Sequence, residues 1–143
     1  MNTRIQKKTV GHKHFVQYKR DNAGHSTIFN QFLREKEFID AKIASKYEPN
    51  LILSGHRIVL AAGSKFLHRK FKKNPNPNDI ILVEAVEHKH LNYFITLLYE
   101  GIVDIPEPDL DCFQVKKSFL LSLRAWFLSL YENINLVAIC YLC

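Results

Sequence analysis

Glycine and proline number only five each in this 143-residue chain, too few for a collagen-like repeat or a low-complexity linker. Disorder is excluded from the other side, because 47% of the residues are hydrophobic and 12% aromatic. One globular domain with its own core is the natural reading. The three cysteines are an odd number with two at the end, which argues against a disulfide scaffold. Cys140 and Cys143 have C-x-x-C spacing, but no second pair of ligands accompanies them, so they are read as small hydrophobes. Long apolar runs are also missing. Arg124 and Glu132 break the apolar C-terminal stretch before it reaches the roughly 20 residues of a membrane span, and no membrane association is expected. Residues 1–20 are polar and basic with no apolar signal segment, which favours a reducing, intracellular setting.

Catalytic vocabulary is equally thin. There is no G-x-S-x-G, no H-E-x-x-H and no phosphate-cradling glycine loop, so no enzyme activity and no cofactor are expected. His12-x-His14 and His88-x-His90 have no carboxylate or cysteine at ligand spacing, and are read as surface residues rather than a metal site.

Acidic residues are absent from the first twenty positions, which hold Arg4, Lys7, Lys8, Lys13, Lys19 and Arg20. Since the whole chain is formally +6, the remainder is neutral. Residues 1–23 are read as a basic, partly flexible segment. Such an arm can meet phosphate or an acidic partner, but a solvated terminus is the preferred reading.

The body alternates helical and strand signals. Ser26 or Thr27 can cap an amphipathic helix that sets Ile28, Phe29, Phe32 and Leu33 on one stripe. Ile39, Ala41 and Ile43 then alternate with polar positions up to a Glu48-Pro49-Asn50 turn, and Leu51-Ile52-Leu53 returns as a hairpin. Residues 56–71 have helical spacing broken at Gly63-Ser64, which reads as two short helices. A proline-rich loop, a strand over 80–83, a helix over 88–99 closed by Gly101, and a strand over 102–105 complete an α+β order.

Three stretches in this order resemble the BTB/POZ domain. Phe38-Ile39-Asp40-Ala41-Lys42-Ile43 is similar to its first-strand pattern. The run from His56 to Leu67, with Leu60 and Ser64 inside it, resembles His-Arg-x-Val-Leu-Ala-Ala-x-Ser-x-Phe-Phe. Leu97-Leu98-Tyr99-Glu100-Gly101-Ile102-Val103 is similar to Leu-x-Tyr-x-Gly-x-Val. Upstream, Phe15-Val16-Gln17-Tyr18 followed by the first helix resembles the arthropod subgroup of transcription-factor BTB domains, with Tyr18-Lys19 where Trp-Asn is usual.

The resemblance implies a helical cluster flanked by a small mixed sheet over residues 24–113, acting as a homodimerising interaction module of a transcriptional regulator in the nucleus. Ile28, Phe29, Phe32 and Leu33 would form the dimer interface, and Asp40 and Arg57 the charged pair of its central pocket. His56, Leu60, Ser64, Tyr99 and Gly101 would be fold-determining. Partners would be a second copy and co-regulator proteins. The alternative is a cytoplasmic substrate adaptor meeting a cullin scaffold; direct nucleic-acid contact ranks last. After Phe113 the family motif is lost, and residues 114–143 are read as an atypical apolar helix or tail.

Overall fold

The computed structural model describes residues 3–20 and 26–121. The first two elements are strands, β1 (Thr3–Val10) and β2 (Lys13–Arg20), paired antiparallel about a turn in which Gly11 takes φ 61°. Left-handed backbone at a two-residue hairpin turn suits glycine, which has no Cβ to clash. The segment expected to be a flexible basic terminus is therefore a hairpin. Its ordering has a simple cause: β2 also pairs antiparallel with β6 (Ile102–Pro106), so Val16 lies opposite Ile105 and both side chains are buried. Lysines flanking a single buried valine hid that strand from a charge-based reading.

Helix α1 (Ser26–Arg34) follows, then β3 (Ala41–Ser45) and β4 (Leu53–Gly55), which form the expected hairpin. Two short helices, α2 (Arg57–Gly63) and α3 (Lys65–Lys73), meet at Ser64. The chain then returns as β5 (Ile80–Val83), parallel to β3, so the second sheet has the order β4-β3-β5 and is mixed. Helix α4 (His88–Glu100) runs through the middle of the molecule, and a 3₁₀ turn (Glu107–Asp109) leads into α5 (Leu110–Leu121).

A helical cluster with small flanking sheets is the architecture anticipated, although β6 joins the N-terminal hairpin rather than the mixed sheet. The core is built on α4. Leu91, Phe94, Leu97 and Leu98 of that helix are buried with Ile43, Leu60, Leu67, Val83 and Ile105 from the surrounding elements. Gly63 marks the tightest approach, since a Cβ there would stand 2.4 Å from Leu98 Cδ2. Gly101 closes α4 at φ 72°, its N–H donating to Leu97 O at 3.0 Å.

Beyond Phe113 the chain continues as α5, with Phe113 and Leu120 buried and Phe119 set against Phe66 at 5.0 Å between ring centroids. Cys112 is disulfide-bonded, although the odd cysteine count argued against a disulfide scaffold. The apolar continuation past Leu121, with Cys140 and Cys143, lies outside the described residues.

Candidate interaction surface

The polar residues singled out in the sequence hydrogen-bond within the protomer: His56, Ser64 and Tyr99 are buried, Arg57 is half-buried and Asp40 is exposed. Asp40 meets Arg57 at the start of α2. Its Oδ1 accepts the Arg57 backbone N–H at 2.7 Å, capping α2 from a neighbouring strand end. The Arg57 guanidinium lies 5.0 Å over the Phe71 ring and donates to three backbone carbonyls: Asp40 and Asn74 at 2.9 Å, Asn76 at 2.6 Å. A rigid fork of N–H donors suits that task better than a lysine would. Arg57 thereby fastens the proline-rich loop to the body.

His56 is buried and makes a closed circuit with Tyr99. The Tyr99 hydroxyl accepts the His56 backbone N–H at 2.7 Å and donates to Nδ1 at 2.8 Å, while Nε2 donates to Glu37 O at 2.8 Å. All three contacts are satisfied at once only with the proton on Nε2. Burial pushes the Tyr99 phenol up to about 12, so it remains a donor at any ordinary pH. Ser64 has a comparable double role: its Oγ accepts Leu67 N–H at 3.1 Å as the cap of α3 and donates to Leu120 O at 2.6 Å, tying α3 to α5.

The apolar stripe of α1 divides. Phe29 and Leu33 pack on the core beside α4. Ile28, by contrast, is 63% exposed, and Phe32 is half-buried without packing against the core cluster. The helix ends in a Schellman motif made without glycine: Lys36, at φ 57°, donates to Leu33 O at 3.3 Å, and Glu37 donates to Phe32 O at 2.9 Å. Two residues later Phe38 also has positive φ, 55°, and its ring meets Phe32 edge-on at 5.2 Å while remaining 75% exposed. A bulky side chain in the left-handed region costs about 1–2 kcal/mol. Ile28, Phe32 and Phe38 thus form a continuous apolar patch held in place by strained backbone. Phe38 was not among the interface candidates, because its place at the head of the strand-like pattern masked its role; the apolar residue just past the Lys36 helix end was the available signal.

One buried cluster also escaped the sequence reading. His90, assigned to the surface, is 1% exposed, because α4 rotates it beneath Tyr93 and α5. Its Nδ1 stands 3.6 Å from Glu87 Oε2, whose carboxylate also lies 3.9 Å from the buried Lys116 ammonium. Neither ring nitrogen has a hydrogen-bond partner. Burial, reinforced by Lys116, pushes the His90 pKa down. Nearby, Asp109 accepts from Lys89 Nζ at 2.8 Å and from the Tyr93 hydroxyl at 3.1 Å, which lowers its pKa and raises that of Lys89. Among the described residues no cluster of three or more His, Cys, Asp or Glu could hold a metal ion, and no helix is long and apolar enough to cross a membrane.

The model of the BTB/POZ domain matches residues 29–125, about two thirds of the chain. The chain belongs to the BTB/POZ domain family. BTB/POZ domains are protein-interaction modules that generally self-associate and bind other proteins, and they are generally not enzymes. Three Drosophila melanogaster relatives align with the same region. The "Longitudinals lacking protein-like" protein is 28% identical over 87 residues, covering 61% of this chain and 66% of its own. The tramtrack alpha isoform is 24% identical over 87 residues and the abrupt protein 26% over 96, covering 61% and 67% of this chain. This chain spans only 10% of each of those two proteins. Among solved structures, the BTB domain of zebrafish PATZ1 superposes with a TM-score of 0.52 at 19% identity, covering 83% of this chain and 86% of that one, which establishes the fold.

Proposed function

We propose that this BTB/POZ domain forms a homodimer through the patch of Ile28, Phe32 and Phe38, with Phe29 and Leu33 holding α1 in place from behind. The strained, exposed Phe38 carries the reading. In a lone protomer neither burial nor a hydrogen bond offsets the left-handed backbone of a phenylalanine. Covering each such side chain across a two-fold contributes about 1.5–3 kcal/mol, and an isologous contact brings the same patch from both copies. Asp40 and Arg57 then serve the dimer indirectly, by fixing the start of α2 and the loop at Asn74–Asn76.

The dimer would belong to a transcriptional regulator working in the nucleus. Support comes from the likeness to the arthropod transcription-factor subgroup and from relatives in which the matched region is a small part of a longer protein. Sedimentation of the wild type beside Ile28→Asp and Phe32→Asp tests the assembly: a dimer that both substitutions reduce to folded monomers is expected, and a monomeric wild type would overturn it. Co-precipitation with a cullin, undisturbed by either substitution, would favour the adaptor alternative.

A further inference from the structure

We infer that Cys112 is a thiol–disulfide exchange site: its sulfur is bonded to one cysteine of the Cys140-x-x-Cys143 pair, and the other cysteine of that pair is the nucleophile that opens the bond. The first part follows from a count. Cys112 is disulfide-bonded and the 143 residues hold three cysteines, so the second sulfur belongs to Cys140 or Cys143. Whichever of the two is bonded, the remaining cysteine lies three positions from it in sequence. An odd cysteine left beside a disulfide is a reactive thiol. The C-x-x-C spacing, read from sequence alone as two small hydrophobes, thereby gains a chemical role.

The opening step is an isomerisation and needs no external oxidant. The unbonded cysteine, as its thiolate, attacks the sulfur of its C-x-x-C neighbour; the Cys140–Cys143 bond forms, the bond to Cys112 breaks, and the electron pair leaves on the Cys112 sulfur. The proton lost by the attacking thiol is regained by Cys112. Two molecules of reduced glutathione then open the Cys140–Cys143 bond and become one glutathione disulfide, and the reverse sequence closes the switch. Cys112 suits the leaving role. It is the third residue of α5, in the turn whose N–H groups and positive dipole end stabilise a departing thiolate. Asp111 beside it acts the other way but is exposed, and the Asp109 carboxylate is engaged by Lys89 at 2.8 Å. Cys112 is itself half-buried, which favours an attack from within the chain over one from bulk thiols. Opening spares the fold, since α5 is fastened without the sulfur: Phe113 and Leu120 are buried, and Ser64 Oγ donates to Leu120 O at 2.6 Å. The switch alters only the tie between α5 and the apolar stretch that follows it. In the reducing, intracellular setting that the sequence favours, disulfides are characteristically transient and redox-sensing. The regulatory role rests on that setting and is independent of the homodimer.

The test equilibrates the full chain in two glutathione buffers, one at the poise of the endoplasmic reticulum and one at that of the cytosol, then blocks free thiols with N-ethylmaleimide and maps tryptic peptides by mass. Cleavage at Lys89, Lys116 and Arg124 leaves Cys112 in one peptide and Cys140 with Cys143 in another. In the more oxidising buffer the two peptides should be joined, on a chain that still migrates as a monomer in a non-reducing denaturing gel. In the more reducing buffer they should separate, with an unchanged far-UV spectrum. Cys140→Ser and Cys143→Ser each leave Cys112 a bonding partner but no neighbouring thiol to relay the exchange. Both should slow opening by reduced glutathione at least about fivefold, because the intramolecular attack has the higher effective concentration. Three results would overturn the assignment: peptides separate in both buffers, peptides joined in both, or opening as fast as wild type in either variant.

Discussion

The knot around His56 and the outer half of α1 exchange the roles that their residue types suggest. Histidine, aspartate, arginine, tyrosine and serine usually advertise a working surface, yet here Asp40, Arg57, His56, Tyr99 and Ser64 satisfy backbone groups inside one protomer. Isoleucine and phenylalanine usually advertise a core, yet Ile28 and Phe38 stand in water. Helix starts and strand ends leave orphan N–H and C=O groups that a small domain must satisfy internally, so the polar residues are committed to folding. The apolar residues left over are then free to bind.

Breaking the knot should therefore destabilise folding, whereas altering the patch should change association. The largest effect is expected from Tyr99→Phe, which strands the His56 N–H and Nδ1 without a partner. It should lower the unfolding free energy by about 3 kcal/mol in denaturant titrations. Ser64→Ala removes both the α3 cap and the bond to Leu120 O, and should lower it by about 2 kcal/mol in the same assay. Phe38→Gly should act with the opposite sign. Relief of the left-handed strain should stabilise a protomer already made monomeric by Ile28→Asp by about 0.5–1 kcal/mol, while the same substitution in the otherwise native chain should weaken association in sedimentation.

The smallest effect concerns pH. The folded protomer resists protonation of His90, whose reference value is 6.5. The unfolded chain takes up that proton as pH falls through 6.5, so stability present at neutral pH should decline below it. His90→Leu should make the fall between pH 7.5 and 5.5 shallower, as read from thermal midpoints at each pH. Leucine also removes two ring nitrogens that lack partners, so the midpoint at neutral pH should not drop.

Most of the body was legible because its signals are local. The Gly63-Ser64 break, the Glu48-Pro49-Asn50 turn and the Gly101 closure each report a single backbone requirement, and helices and strands lie where those signals put them. The hairpin over 3–20 was not legible, since its buried anchor Val16 has meaning only once β6 is beside it. His90 was misplaced for a related reason: two histidines separated by one residue look alike in sequence, and only the rotation of α4 against α5 decides which is buried. At the candidate interface, the helix stripe was visible but its division was not. Phe29 and Leu33 differ from Ile28 and Phe32 only in phase about the helix, and the contribution of Phe38 depends on a helix end that Lys36 makes where glycine would be the usual sign.

Isotope-filtered NMR on an equal mixture of ¹³C-labelled and unlabelled chains reads the apolar patch most directly. Intermolecular cross-peaks between the Ile28 methyl groups of one copy and the Phe32 or Phe38 ring of the other are expected. A dimer whose intermolecular cross-peaks all arise elsewhere, with Ile28, Phe32 and Phe38 silent, would contradict the assignment of that patch to self-association.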